Sequence, residues 1–499
     1  MKHTYSALLM LFVLFAQAQE KSVLSGQIKD AATAETLIGA SVYAPKLGIA
    51  ATTDFNGQYA INLPKGTFQI QISFIGYETQ NVEVQISGNQ QLDFNLISTS
   101  TTLAEVTVTD QVKAANVEDM KMSSEVLSIK TIKEMPAFMG EVDVLKAIQA
   151  LPGVQSGGEG TTGYFVRGGS ADQNLVLLDG ATVYSPSHLM GFFSVFNPDA
   201  IKDIKLYKGG IPAKYGGRVS SVLDIYQKEG NSSKFNANGG IGLISSRLLL
   251  EGPIKKDKGS FLLAGRSSYA HLFLPLFNID NIAYFYDLNT KLSYNLNATN
   301  SIFLSGYFGR DVFRLSDSFE NTYGNTVVNF RWNHLFSDKL FSNLSLIYSD
   351  YYYGLKLDFV EFDWESGIRH FHIKYDFKHY LSNNFKLEYG LNSIYYKFNP
   401  GEINPTTPTS GINSFKLIDK YAFENAIYID AEHKLNSKLS VSYGARLSTF
   451  HRLGQDELNL YQDNNPVIFN QTIGIYEKAE PIGTETFNKS DVIASFAKF

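Results

Sequence analysis

The sequence predicts a mainly β protein: an N-terminal β-sandwich, a small α+β unit, and an antiparallel transmembrane β-barrel of which about half is present. Three observations carry that expectation. The 499 residues include 36 Phe and 29 Tyr among many polar residues, so 44% hydrophobic content coexists with a mean hydropathy of −0.12, a strand-rich profile. Residues 22–97 alternate over short runs broken by turn chemistry. From residue 233 onward the alternation runs much longer, over stretches of roughly 10 to 15 residues against the usual five or six.

Composition removes whole function classes. The chain has no Cys, which excludes disulfide frameworks, thiolate metal sites, thiol catalysis and an acylated lipoprotein cysteine. Its net charge of −6 and the lack of a Lys/Arg-rich stripe offer no field for nucleic acid. No Walker-type phosphate loop is present. Nothing supplies a nucleophile with its base or a carboxylate pair in a cleft, so no enzyme activity and no cofactor are expected.

The first 18 residues read as an export signal: Lys2 and His3, an apolar run over 7–16, and the small-x-small site Ala16-Gln17-Ala18. The run is too short to span a bilayer as a helix, which needs about 20 apolar residues. No later stretch approaches that length, so any membrane crossing must be made by strands closed into a barrel.

Residues 22–97 form the expected sandwich, punctuated by Gly26, the turn Thr53-Asp54-Phe55-Asn56-Gly57, Pro64-Lys65-Gly66 and Gly76-Tyr77. Gly26-Gln27-Ile28-Lys29-Asp30, Leu37-Ile38-Gly39-Ala40-Ser41-Val42 and Phe74-Ile75-Gly76-Tyr77 resemble the carboxypeptidase regulatory-like domain. The His/Glu cluster of a zinc peptidase is missing, and Asp54 and Asn56 are expected to shape a turn rather than bind calcium.

Residues 98–124 are a polar linker with one β-prone island around Glu105, Val106, Thr107, Val108 and Thr109. Residues 125–228 mix a helical pattern (Val142, Leu145, Ile148, Leu151, stopped by Pro152-Gly153) with Gly-rich loops and short strands. Residues 233–499 are the barrel strands. In one of them Phe371, Ile373, Tyr375 and Phe377 fall on one face and His370, His372, Lys374, Asp376 and Lys378 on the other; one face wants hydrocarbon, the other water. Short polar turns at 255–258, 297–300, 337–339, 382–384 and 436–438 alternate with longer Pro/Gly/Asn-rich connections, as periplasmic turns and extracellular loops do. His370 and His372, two apart on a polar face, are a weak metal signal.

Three patches in the α+β segment carry a second resemblance, to the plug domain of TonB-dependent outer-membrane receptors. They are Asp143 to Ile148 running into Leu151-Pro152-Gly153-Val154; Tyr164-Phe165-Val166-Arg167-Gly168-Gly169 with Val176-Leu177-Leu178-Asp179-Gly180; and Leu206-Tyr207-Lys208-Gly209-Gly210 with Pro212 through Val222, which contains Tyr215, Gly216, Gly217 and Arg218. Together with the sandwich and the strands, the resemblance covers most of the mature chain and matches an arrangement common in receptors of Bacteroidetes type. It implies energy-coupled uptake of a scarce solute (siderophore, metal chelate, oligosaccharide or peptide), with the sandwich in the periplasm and the strands among outer-membrane lipids. It also implies that TonB, the inner-membrane energy transducer, grips Glu105 to Thr109 by strand addition. Arg167 and Arg218 are expected to pair with carboxylates of the inner barrel wall, although glycines and arginines there equally serve tight turns and structural ion pairs. The plug lacks the longer motif of SusC-like members, which sets a SusD-like lipoprotein partner and a glycan substrate in doubt. Roughly eleven strands are counted where plugged transporters close with about 22, so the sequence reads as a fragment or an early-terminated product. The competing function is a surface adhesin or structural barrel that does not transport.

Overall fold

The computed structural model describes residues 21–54, 56–74, 76–98, 123–135, 141–158, 163–315, 318–382, 384–436, 439–454, 456–472 and 474–498. The signal reading and residues 99–122 of the linker, including the island at 105–109, lie outside the described residues. The sandwich and residues 335–341 and 379–386 make up one compact unit; the α+β segment and the rest of the long-stranded sheet belong to a second.

In the sandwich, Lys21–Asp30 pairs with Gln58–Pro64, Gln90–Gln91 and Phe94–Leu96, while Ile49–Thr52, Ser41–Ala44, Gly66–Ser73 and Gln80–Ile86 form the second sheet. Alternate residues of each, among them Leu24, Ile28, Val42, Ile61, Ile70, Ile72 and Val84, meet in one apolar core because side chains of a strand point to opposite faces. Asp54 shapes the turn as its sequence suggests. Its Oδ1 accepts from the N–H groups of Asn56 (2.8 Å) and Gln58 (2.9 Å), and Gly57 closes the turn at φ +69°.

The α+β segment is a five-stranded mixed sheet in the order Ala181–Thr182, Asn174–Leu178, Ser221–Gln227, Ile201–Tyr207, Ser124–Ser128. Two short helices, Ile129–Lys133 and Val144–Gln149, accompany it. The second is shorter than its apolar spacing suggests, because Asp143 caps it by accepting from Lys146 N–H at 3.0 Å and Gly153 turns left-handed at φ +79° just beyond. Leu145, Ile148, Val176, Leu178, Ile204, Leu206, Leu223 and Ile225 build the core, joined by Tyr307, Val327 and Ile347 of the long-stranded sheet.

Among the described residues that sheet has thirteen strands, running in sequence order from Asn236–Ile241 to Val492–Lys498, with antiparallel neighbours wherever the register is described. The strands are longer and more numerous than the sequence suggests: Phe362–Ser382 and Phe385–Pro405 have 21 residues each. Gly367, Pro400 and Gly401 look like loop punctuation but lie inside these strands. The short turns at 255–258, 297–300 and 337–339 fall where expected, with Ile282–Asn297 and Asn300–Leu315, for example, joined across Asn297↔Asn300.

Burial in this sheet is inverted relative to a soluble protein. On Ile282–Asn297, Asn289 and Lys291 are 0% and 2% exposed whereas Leu288 and Leu292 are 41% and 43% exposed. On Phe319–Ser337, Asn321, Asn325, Asn329, Arg331 and Asn333 are buried while Val328, Phe330 and Trp332 face outward. A sheet hiding amides and charges while showing leucine and phenylalanine in alternation fits hydrocarbon outside and a polar filling inside.

Candidate functional site

The chemistry of the second unit is concentrated where the α+β segment meets the inner face of the long-stranded sheet. Burying polar groups is costly unless they are paired, and here pairs form layer upon layer.

One layer is organised by the hairpin between Asn174–Leu178 and Ala181–Thr182. Its two loop residues are Asp179 (φ +49°) and Gly180 (φ +85°), with Leu178 and Ala181 paired across the turn, the type I′ geometry that Asp-Gly favours. The turn aims the Asp179 carboxylate at Lys291, whose Nζ lies 3.1 Å from Oδ2 and also donates to Gln227 O at 2.9 Å. Gln227 N–H and Nε2 donate to the same carboxylate at 3.1 and 3.2 Å, and Asn329 Nδ2 donates to the Asp179 carbonyl at 2.6 Å. Burial alone would raise the Asp179 pKa, but the charges of Lys291 and Arg331 and the Gln227 hydrogen bond hold it below the usual carboxylate range.

A second layer lies around residues 213–216. The N–H groups of Ala213 and Lys214 donate to Asp430 at 2.9 and 3.1 Å, and Arg446 donates back to the Ala213 carbonyl at 3.2 Å. Gly216 lets the guanidinium come this close: a Cβ there would stand 2.5 Å from Arg446 Nε and the arginine would have to shift. Tyr215 turns inward; its hydroxyl donates to Asp224 at 2.6 Å, and burial followed by the Asp224 charge pushes its pKa up.

Elsewhere on the sheet, Asn325 receives the N–H groups of Tyr184 (3.1 Å) and Ser185 (3.3 Å) and donates to Ser185 O (2.7 Å). Tyr184 Oη stands 2.7 Å from His370 Nδ1, and His372 Nε2 is 3.3 Å from Asn392 Oδ1. Among the described residues no three His, Cys, Asp or Glu side chains converge as a metal site. His188, buried at 1% exposure, touches Asp287 and Asp311.

The remaining motif residues gather on a cleft lined by Arg167, Gly168, Gly169, Lys208, Gly209 and Ser220. Arg167 and Gly168 occupy a tight turn with φ +49° and +81°, closed by Gly169 N–H to Val166 O at 2.9 Å. Lys208 is buried, donating to Pro152 O at 2.8 Å and Glu125 Oε1 at 3.2 Å. Gly217 sits at φ +79° beside Arg218.

The expected pairing of Arg167 and Arg218 with inner-wall carboxylates is not what the described residues show. Arg167 donates to Ser123 Oγ at 2.7 Å, because its left-handed turn directs the side chain back across its own unit, and Arg218 donates to the adjacent Gly217 carbonyl at 2.8 Å. The ion pairs that do cross are Asp179 to Lys291, Lys214 to Glu388, and Asp199 and Glu141 to Arg247, and the His188 ring contacts Asp287 and Asp311. Sequence reasoning singled out Asp179 as a motif residue without giving it a wall contact, and missed its partner and the other pairs. The available signal was the inward-facing charge on alternating strands, such as Asp287 and Lys291.

Comparison with known proteins agrees with this geometry. The family model described as CarboxypepD_reg-like domain matches residues 24–108, and that described as TonB-dependent Receptor Plug Domain matches residues 116–222. TonB-dependent receptor P3 of Formosa agariphila is 26% identical over 45% of this chain and 22% of its own length. TonB-dependent receptor SusC of Bacteroides thetaiotaomicron is 27% identical over 46% of this chain and 24% of its own. The chain thus spans about a quarter or less of these relatives. Among solved structures, the hemophore receptor HasR of Serratia marcescens shares the fold at TM-score 0.54 and 14% identity, covering 78% of this chain and 61% of that one. FpvA of Pseudomonas aeruginosa does so at TM-score 0.54 and 13% identity, covering 68% and 53%.

Proposed function

Because the chain carries the plug domain of a TonB-dependent receptor behind a carboxypeptidase regulatory-like domain, we propose that it serves energy-coupled uptake of a scarce solute across the outer membrane. The observation that carries this reading is the plug's fastening to an inverted sheet by polar contacts: Asp179 to Lys291 and Asn329, Ala213 and Lys214 to Asp430. An interface of hydrogen bonds and ion pairs can exchange partners with water stepwise as the plug moves, whereas an apolar one would expose its whole area at once. The apolar outer face contacts outer-membrane lipid.

In this reading the solute is caught on the outer side above the plug. Glu105, Val106, Thr107, Val108 and Thr109 add as a strand to TonB, and the pull rearranges the plug without covalent chemistry. Arg167, Gly168, Gly169, Lys208 and Gly209, which share one cleft, and Gly217 and Arg218 serve as plug framework. The sandwich lies in the periplasm. The solute class stays open among siderophores, metal chelates, oligosaccharides and peptides. The relative named SusC supports a SusD-like surface lipoprotein as a partner to test by co-purification.

Deleting residues 105–109 from the intact protein is expected to abolish proton-motive-force-dependent accumulation of whichever solute supports growth, while surface display stays normal. Unchanged accumulation would sink the coupling role. A non-transporting adhesin would bind the same solute with or without the proton-motive force.

A further inference from the structure

The short strands Ser187–His188 and Phe193–Ser194 pair with each other and frame an unusual corner of the plug. Between them Leu189, Met190 and Gly191 take φ +47°, +57° and +112° in succession. Two large side chains in the left-handed region are strained and persist only where the surroundings over-determine them. The sheet supplies the restraint: Leu189 N–H donates to Asp311 Oδ1 and Met190 N–H to Tyr323 Oη, each at 2.7 Å.

His188 closes the arrangement. Its ring stacks on Phe285 with centroids 4.2 Å apart and planes 12° from parallel. Nδ1 lies 2.7 Å from Asp311 Oδ2 and Nε2 lies 3.1 Å from Asp287 Oδ2. A neutral imidazole has one N–H and would turn a lone pair toward one of these carboxylates; only the imidazolium donates to both. The Tyr307 hydroxyl, 3.3 Å from Nε2, is farther than the carboxylate.

The surrounding charges fit a cation. Arg266 donates to Asp287 Oδ2 from Nε (2.9 Å) and from one terminal nitrogen (2.7 Å), which also reaches the Ser194 carbonyl at 2.8 Å. Two cations, His188 and Arg266, thus face two anions, Asp287 and Asp311. Asp143, behind the corner, receives Ser194 N–H at 2.6 Å. Glu141 acts on Arg266, the Tyr307 hydroxyl lies beside the ring, and Tyr323 and Tyr351 stand near Asp311.

We propose that His188 is a proton-dependent latch: doubly protonated, it fastens residues 187–191 of the plug to Asp287 and Asp311 of the sheet, and loss of one proton unfastens that corner. Burial works against the charged ring, but the Asp311 and Asp287 charges and hydrogen bonds outweigh it and raise the pKa above the ordinary histidine value. The sign follows from linkage. The latch contributes fully below the unfolded-state pKa of about 6.5 and is lost as pH rises through the raised folded value. This device stands whether or not the protein transports.

Hydrogen exchange of the intact wild-type protein in lipid, followed by mass spectrometry between about pH 6 and 9, tests it. Protection of residues 187–194, corrected for intrinsic exchange and divided by that of the Asp179 hairpin, is expected to hold level up to about pH 6.5 and then fall by up to about tenfold per pH unit until the raised folded value is passed. In H188Q the ratio is expected to be low and independent of pH. A wild-type ratio that stays flat, or an H188Q ratio equal to wild type across the range, overturns the proposal. If H188Q does not fold, the wild-type titration decides alone.

Discussion

Replacing Lys291 by methionine is expected to destabilise the seating of the plug by about 3–5 kcal/mol, the range for breaking a buried ion pair from one side. Lys291 and Asp179 side chains are 3% and 2% exposed, so solvent cannot take over for the missing ammonium. The Asp179 carboxylate keeps its Gln227 donors but loses its nearest charge. The double variant K291M/D179N is expected to recover much of the loss, because a neutral amide no longer needs that charge. Hydrogen exchange over residues 174–182 in the folded protein measures both effects. Asp179 also sets an acid limit: its lowered pKa stabilises the fold at neutral pH, and that contribution is lost as pH falls through the depressed value. K291M should therefore show a weaker acid dependence than wild type. A single variant that matches wild type, or a double variant no better than K291M, would remove Asp179–Lys291 as the fastening.

The second large effect concerns the opposite face. Val328→Arg places a charge midway along Phe319–Ser337, on the exposed side and opposite Gly306. At a bilayer midplane such a change costs about 2–4 kcal/mol; at a water-facing surface it would stay within about 0.5 kcal/mol. Equilibrium refolding into lipid vesicles, with denaturant titration of both proteins, separates the two. A near-zero difference would mean that water, not lipid, meets this side.

How much of this could be read from the sequence depended on the range of the cause. The Asp179-Gly180 turn was legible because two adjacent residues specify a type I′ hairpin. The alternation of Phe371 and Ile373 with His370 and His372 was legible because strand side chains alternate with period two. Strand ends were not, since Gly and Pro punctuate loops and also permit close packing within a ladder. At Gly401 a side chain would overlap the Trp364 ring, so this glycine marks packing and not a chain reversal. His188 was illegible for a different reason: its partners Asp287 and Asp311 lie 99 and 123 residues away, and no local pattern ties a lone histidine to carboxylates on later strands. Arg167 shows the converse hazard. A conspicuous arginine ahead of two glycines suggested a wall contact, and a left-handed backbone turned it toward Ser123 instead.

The absence of cysteine makes the most direct test practical. Single cysteines introduced in turn at positions 370 to 377, in the intact protein in its membrane, can carry spin labels whose relaxation by oxygen and by a water-soluble nickel chelate is compared. Labels replacing Phe371, Ile373, Tyr375 and Phe377 are expected to meet oxygen from the lipid and escape the chelate, while those replacing His370, His372, Lys374 and Asp376 show the reverse or no access to either. A chelate that reaches Phe371 and Ile373 as freely as an aqueous surface would contradict an inverted sheet bathed in hydrocarbon.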